Sequence, residues 1–179
     1  MLTADAIFAR RLQACQDRLM GYAMALSRDR ETARDLLQDC VARALIAPSL
    51  PESEPAFRAF LFTTLRNLWI DRVRRERRKV AVDEAMDLLA EVAMQPVGLE
   101  SVLVNALAVR QAFARLSEEH RDVLSLVDIA GFGYGEAALV LGIPPGTVMS
   151  RVSRARRALS SMLTDSAVEM LPRRGTAQR

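Results

Sequence analysis

The apolar residues of this chain recur with the period of a helix. Between residues 33 and 45 they fall at intervals of three and four positions, so they share one face of a helix. These residues are Ala33, Leu36, Leu37, Cys40, Val41, Ala44 and Leu45. The same period continues along most of the 179 residues, and no segment alternates apolar and polar side chains as a half-buried strand does. The sequence therefore predicts an all-α fold.

Prolines and polar segments divide this pattern into separate helices. Pro48 and Pro51 end one helix, because proline cannot continue a helix. Ser117 is a good N-cap for a later helix that ends near Gly131. The predicted helices span 7–26, 33–45 and 56–78, then one from 101, then 117–131, 134–141 and 145–163. In the helix from 101, the residues expected to face the core are Val102, Leu103, Leu107, Val109, Phe113 and Leu116.

The charges are distributed very unevenly along the chain, although 25 basic and 22 acidic side chains leave a net charge of only +3. Residues 66–79 hold seven basic and two acidic side chains, whereas residues 80–100 hold five acidic side chains and no basic one. This reversal predicts a domain boundary. The expected organisation is a domain over 1–79, a flexible acidic linker over 80–100 with a marginal helix over 84–94, a second domain over 101–165 and a tail over 166–179. A solvated helix inside a single domain is the alternative for the linker.

Several classes of protein do not fit the sequence. The first 20 residues contain charges that do not fit the apolar block of a signal peptide. The sequence has no run of eighteen apolar residues, so we expect no membrane-spanning helix. Cys15 and Cys40 are too few for a zinc site, and the lone His120 lies in a polar run. No glycine-rich phosphate loop is present. We therefore expect a cytoplasmic protein with no metal or other cofactor, and the sequence gives little support to an enzyme.

Residues 134–157 have the pattern of a helix-turn-helix. Ala138 is the small residue where the two helices meet, Gly142 is the turn glycine, and Val148 anchors the second helix. Pro145 occupies the start of that helix, where a missing N–H is tolerated. The exposed face then offers hydroxyl and arginine side chains that can bind phosphates or guanine edges. They are Thr147, Ser150, Arg151, Arg154, Arg156 and Arg157. A helical hairpin with an arginine-rich surface, and no role in DNA recognition, is the alternative.

Motifs in both halves resemble bacterial sigma factors, most closely the extracytoplasmic-function (ECF) group. In the second half, the segments 116–124, 131–138 and 145–151, followed by Arg154-Ala155-Arg156, resemble sigma region 4. In the first half, Asp35-Leu36-Leu37-Gln38-Asp39 resembles region 2.2. Regions 2.3 and 2.4 are matched by residues 57–62, Arg66, Asn67, Ile70, Asp71, Arg74 and Arg75. The resemblance spans about residues 12–163 in the order that the family has.

This resemblance implies a transcription initiation factor. Such a protein binds core RNA polymerase, directs it to promoter DNA through the −10 and −35 elements, and aids promoter melting without ATP. The group commonly serves stress responses and is commonly held inactive by an anti-sigma factor. The family pattern places polymerase contacts on Asp35, Leu36, Gln38 and Asp39. It places −10 DNA contacts on Arg66, Asn67, Asp71, Arg74, Arg75 and Arg78. It places −35 DNA contacts on Tyr134, Thr147, Met149, Ser150, Arg151, Arg154 and Arg157.

Side-chain chemistry agrees with much of this assignment. The amide of Asn67 has both a donor and an acceptor for a flipped base, while Trp69 could stack on a base or belong to the core. Leu37 and Val41 are expected to face the core, which leaves the polar face of their helix free for a partner. Met149 departs from the family pattern, where Lys or Arg is common, so a contact there would be apolar.

Three other functions stay open at this point. A free-standing helix-turn-helix regulator would bind an operator without polymerase, although no long heptad seam for a dimer is visible. A sigma-like decoy, or a mimic that binds an anti-sigma factor, would keep the protein-binding face and fail on DNA. A helical enzyme lacks any acid, base or metal constellation in the sequence.

Overall fold

The computed structural model describes residues 4–80 and 100–169, and these residues are mostly helical with no strand among them. The helices are α1 (Ala4–Ser27), α2 (Arg30–Leu45), α3 (Glu54–Val80), α4 (Glu100–Arg115), α5 (Glu118–Leu124), α6 (Tyr134–Leu141) and α7 (Pro145–Glu169). A π-helical turn, Ser125–Ile129, follows α5 directly. The prediction of an all-α fold is confirmed. The predicted acidic linker, with its marginal helix over 84–94, lies outside the described residues apart from its two ends.

Local capping explains where two of these helices begin. The carboxylate of Asp29 accepts a hydrogen bond from the Thr32 N–H at 2.7 Å, and Arg28 adopts a positive φ of 61° that turns the chain between α1 and α2. Ser117 caps α5 as predicted, because its hydroxyl accepts the His120 N–H at 3.3 Å. α7 continues to Glu169, beyond the predicted end at 163 and into the segment predicted as the tail.

Helices α1, α2 and α3 pack together in the first half. Their buried side chains are Cys15, Leu19, Tyr22, Leu26, Leu36, Cys40, Phe57, Leu61, Phe62, Leu65 and Leu68. One prediction for α2 holds only in part, although Leu37 does pack against the core. Leu36, Cys40 and Ala44 are the buried residues, whereas Leu37 and Val41 are only half-buried. The apolar stripe of this helix is wider than the surface that α1 and α3 cover, so residues at its edge stay partly in water.

The second half packs around α5 and the π-helical turn. Arg121 is buried, and its guanidinium donates to the carbonyls of Ala114 and Leu116 at 3.2 and 3.3 Å, which ties the end of α4 to α5. Leu116 is buried and Phe113 half-buried as predicted for α4, but Leu107 and Val109 are exposed. Residues 101–106 have no described side chains, so the prediction for Val102 and Leu103 lies outside the described part of the chain.

Helices α6 and α7 form the predicted helix-turn-helix. α6 ends at Gly142, whose φ of 67° is left-handed and suits glycine, and the next N–H, from Ile143, donates to the Ala138 carbonyl at 3.2 Å. Val148, Val152 and Ala155 of α7 are buried at intervals of four and three. This spacing leaves the opposite face of α7 directed away from the core.

The two halves also pack against each other, which the sequence did not predict. The rings of Phe62 in α3 and Phe132 before α6 meet edge to face with centroids 4.8 Å apart. A Cβ atom added to Gly21 of α1 would lie 3.0 Å from Cγ2 of Ile129 in the π-helical turn. The buried apolar residues of both halves therefore form one contiguous core.

Candidate nucleic-acid and polymerase interface

The outer face of α7 presents the predicted −35 residues. Met149, Ser150, Arg154 and Arg157 are exposed, with Met149 at 56%. Thr147 and Arg151 are half-buried beside them. Tyr134 lies at the first residue of α6 and is 36% exposed. All seven predicted residues therefore lie on α6 and α7. In a helix-turn-helix the second helix, here α7, is the one that can enter a major groove.

Contacts within the second half hold two arginines of α7. Arg151 lies 3.4 Å from the carboxylate of Glu119, and Arg156 donates two hydrogen bonds to Asp128, the shorter at 2.6 Å. The hydrogen bonds to Asp128 raise the pKa of Arg156. Sequence reasoning gave no role to Glu119 or Asp128, because the pairing of distant charges depends on the packing of α5 and the π-helical turn against α7.

The predicted −10 residues lie on α3, and all but one are exposed. Asn67, Asp71, Arg74, Arg75 and Arg78 are exposed and recur at intervals of three and four, which gives them one helical face. Arg75 and Arg78 donate to the carbonyls of Asp71 and Arg74 at 3.2 Å, one turn earlier on the same helix. Trp69 is half-buried and packs against the core, which favours the structural role for this side chain.

Arg66 is the exception among the −10 residues. Its Nε donates to Oδ2 of Asp122 at 2.8 Å, and the Tyr22 hydroxyl donates to Oδ1 of the same carboxylate at 2.6 Å. The pKa of Tyr22 is raised well above its usual value, chiefly by burial and then by the neighbouring Asp122 charge. Arg66 is therefore engaged by the second half in this structure. Sequence reasoning missed Asp122, although Glu118 and Asp122 stand one turn apart on α5 and mark an acidic face.

The predicted polymerase contacts divide into two kinds. Asp35, Gln38 and Asp39 are exposed on α2, and Asp35 lies 3.8 Å from Arg72 of α3. Leu36 is only 2% exposed, so its side chain belongs to the core and is not available to a partner here. Next to the exposed residues runs an apolar groove between α1 and α2, lined by Leu12, Gln16, Leu37, Gln38, Val41, Ala42 and Leu45.

Two kinds of feature are absent from the residues that the structure describes. No cluster of three or more His, Cys, Asp or Glu side chains that could hold a metal ion occurs in 4–80 and 100–169. Within the same residues, no helix has the length and hydropathy needed to cross a membrane.

Comparison with known protein families matches both halves. Sigma-70 region 2 matches residues 12–79, and Sigma-70, region 4 matches residues 106–159. The first match contains α3 with its exposed Asn67 and arginines, and the second contains the helix-turn-helix. The fold and these two surfaces thus define a two-part helical protein of the sigma-70 type.

Individual relatives show which family of sigma-70-type proteins the chain belongs to. ECF RNA polymerase sigma factor EcfG of Rhodopseudomonas palustris is 34% identical over 155 residues, which cover 86% of this chain and 84% of the relative. ECF RNA polymerase sigma factor SigL of Mycobacterium tuberculosis is 34% identical over 152 residues, covering 84% and 85%. The solved structure of the sigma factor RpoE from Bartonella quintana, in complex with the anti-sigma factor NepR, superposes with a TM-score of 0.69 at 29% identity, covering 88% and 97%. The chain belongs to the ECF RNA polymerase sigma factor family, whose members are transcription initiation factors and not enzymes.

Proposed function

We propose that this chain binds core RNA polymerase and directs it to promoters, with α7 contacting the −35 element and α3 contacting the −10 element. The observation that supports this most is the presence of two separate exposed basic faces, one in each sigma-type half. Each face lies on a single helix, and Arg74, Arg78, Arg154 and Arg157 are exposed on them. Arginines at such positions bind phosphates and guanine edges. We further propose the domain limits given by the charge reversal, 1–79 and 101–165.

The −35 contact is proposed to use the first two turns of α7. In this proposal Thr147, Ser150 and Arg151 meet the groove, and Arg154 and Arg157 extend the contact along α7. Met149 is exposed between them and has no hydrogen-bonding group that could read a guanine edge. An apolar contact, such as one with a thymine methyl group, is the chemistry that this side chain supports.

The −10 contact is proposed to combine base capture with phosphate binding. The exposed amide of Asn67 can hold a flipped base of the non-template strand by its edge. Arg74, Arg75 and Arg78 follow on the same face and can bind the backbone of that strand. Melting would then draw on binding energy alone. Arg66 joins this set only after its ion pair with Asp122 is broken.

The polymerase contact is proposed to lie on α2. Asp35, Gln38 and Asp39 present exposed polar groups there, and Leu36 supports them from the core without touching the partner. Regulation by an anti-sigma factor in the cytoplasm, as part of a stress response, is proposed from the relatives. RpoE of Bartonella quintana was solved with the anti-sigma factor NepR, and CnrH, which is 27% identical with a TM-score of 0.60, with the cytosolic domain of CnrY.

Reconstituted transcription tests this proposal. The purified chain is mixed with bacterial core RNA polymerase, the complex is isolated, and run-off transcription is measured on genomic promoter fragments. We expect a stable complex and transcripts from a defined subset of fragments, whose shared sequence gives the promoter. Binding to DNA without association with polymerase would instead establish a free-standing regulator. Association with polymerase without transcripts, with no inhibitor in the mixture, would establish a decoy.

A further inference from the structure

The exposed arginines of α7 lie on different sides of the helix. Val148, Val152 and Ala155 face the core. Residues two positions apart on an α-helix lie about 160° apart around its axis. Arg154 and Arg156 are both exposed, yet they therefore lie on opposite flanks of α7. The two side chains have different surroundings and can have different tasks.

Two other elements of the second half hold Arg156. Its guanidinium donates to both oxygens of Asp128, at 2.6 and 3.3 Å, across 28 positions of the chain. Asp128 belongs to the π-helical turn, Ser125–Ile129, and turns of this kind are rare and frequent at functional sites. The pKa of Arg156 is raised chiefly by Asp128 and further by the hydroxyl of Tyr134, so that hydroxyl lies beside the guanidinium as well.

Arg154 makes contacts of another kind. Its Nε donates to the carbonyl of Ser150 at 3.3 Å, and a terminal nitrogen donates to the hydroxyl of the same residue at 3.5 Å. Both contacts lie within one turn of α7, so they do not fix the position of this helix relative to its neighbours. Arg156, in contrast, joins α7 to the π-helical turn and to the first residue of α6.

The geometry between α6 and α7 matters because the two helices of a helix-turn-helix meet DNA differently. The first helix crosses the DNA backbone, and the second enters the major groove. Tyr134 begins α6 and belongs to the predicted −35 residues, while Arg154 lies on the face of α7 that we propose enters the groove. The forked guanidinium of Arg156 binds a carboxylate in a defined orientation, so it can set the distance between these two contacts.

We propose that Arg156 is a positioning residue of the −35 surface, which acts through Asp128 and Tyr134 and does not itself touch DNA. The inference rests on the proposed contact of α7 with the −35 element and adds a residue that is not among the seven predicted −35 contacts. The Arg156 and Asp128 side chains are 52% and 41% exposed. An ion pair this exposed contributes little to stability, so substitutions here should leave the fold intact.

Two substitutions that change the net charge in opposite directions test this role. Arg156→Gln removes a positive charge and Asp128→Asn a negative one, so the double variant keeps the wild-type charge. Each full-length variant is combined with core RNA polymerase, and the complex is titrated with a promoter duplex that carries either an intact or a scrambled −35 element. The ratio of the two affinities is the quantity of interest. Loss of folded protein and long-range charge effects act on both duplexes alike and leave this ratio unchanged.

We expect Arg156→Gln, Asp128→Asn and the double variant each to lower this ratio about fivefold, because each of them breaks the same network. Asp17→Asn makes the same chemical change at an exposed position of α1 and, as the matched control, should keep the wild-type ratio. A ratio that Asp128→Asn leaves unchanged or raises would overturn the proposal, since Arg156 would then act without Asp128. Losses that add up in the double variant would overturn it as well.

Arg154→Ala separates this inference from the function on which it rests. If Arg154→Ala lowers the ratio while the Asp128 and Arg156 variants keep the wild-type value, the positioning role alone is wrong. If Arg154→Ala also keeps the wild-type ratio, the proposed contact of α7 with the −35 element is wrong, and the positioning role is wrong with it.

Discussion

The two basic helices, α3 and α7, differ in where their arginines find partners. In α7, Arg151 and Arg156 pair with Glu119 and Asp128 of the same half. In α3, Arg58, Arg66 and Arg77 pair with carboxylates of the other half. The ion pairs of α7 are thus formed within its own half, whereas those of these three α3 arginines join the two halves.

The largest expected effect comes from breaking the contact at Asp122. Asp122→Ala leaves the Tyr22 hydroxyl and Arg66 without their acceptor in a largely buried site, so we expect the free energy of unfolding to fall by about 3 kcal/mol. Urea denaturation measures the change. Glu119→Ala removes an exposed carboxylate three residues earlier and should change stability by about 0–1 kcal/mol. A loss in Asp122→Ala as small as that expected for Glu119→Ala would show that the contact between the halves adds little stability.

A substitution on α7 tests whether its exposed arginine face contacts promoter DNA. Arg154→Ala should weaken binding of the polymerase complex to promoter fragments by about 1–3 kcal/mol, through loss of a guanidinium exposed on the recognition face. Competition binding with promoter duplexes that vary only in the −35 element measures this loss. Ser153→Ala, at an exposed neighbouring position of the same helix, is the control. An unchanged affinity for Arg154→Ala would move the recognition face elsewhere on α7.

A substitution on α3 separates opening from binding. Asn67→Ala removes the amide that we propose holds a flipped base. We expect the free energy of open-complex formation to become less favourable by about 1 kcal/mol, while formation of the initial complex stays the same. Permanganate footprinting detects the melted bases, and gel shift at low temperature detects the closed complex. If variant and wild type open the promoter equally, Asn67 has no part in melting.

The smallest expected effect is a pH dependence at the contact between the halves. Burial raises the pKa of Tyr22 above its ordinary value of 10.0, so the folded chain holds the phenolic proton more tightly than the unfolded chain. This contribution to stability is complete below pH 10 and is lost as the pH rises towards the folded-state pKa. At pH 11 part of this contribution is therefore lost.

Tyr22→Phe should therefore show a smaller fall in the free energy of unfolding between pH 9 and pH 11 than the wild type. Denaturation curves at each pH measure the difference. The chain has two tyrosines, and Tyr134→Phe, at the exposed end of α6, is the matched control for the loss of a phenol hydroxyl. Parallel curves for wild type and Tyr22→Phe would show that the hydroxyl is not protected by the fold.

Much of the local structure followed from the sequence alone, since it rests on interactions between residues a few positions apart. The period of the apolar residues predicted the helices, and α6 was predicted with its exact limits over 134–141. Gly142 and Pro145 marked the turn because each residue type suits a particular backbone conformation. The exposed faces of α3 and α7 followed from the same period, so most of the candidate site residues were predicted as accessible. The roles of those residues and the domain limits stay predictions.

Only the tertiary structure decided which partners the charged residues take and how much of each apolar stripe is covered. Leu36 and Leu37 are neighbours on one stripe, yet just Leu36 is fully buried, because burial depends on where α1 and α3 lie against α2. Leu107 and Val109 of α4 are exposed for the corresponding reason. Arg66 and Asp122 are 56 positions apart in the chain, and no local pattern couples them. The sequence by itself determined the helices, their faces and the family, whereas the pairing of the halves depends on long-range packing that no local period encodes.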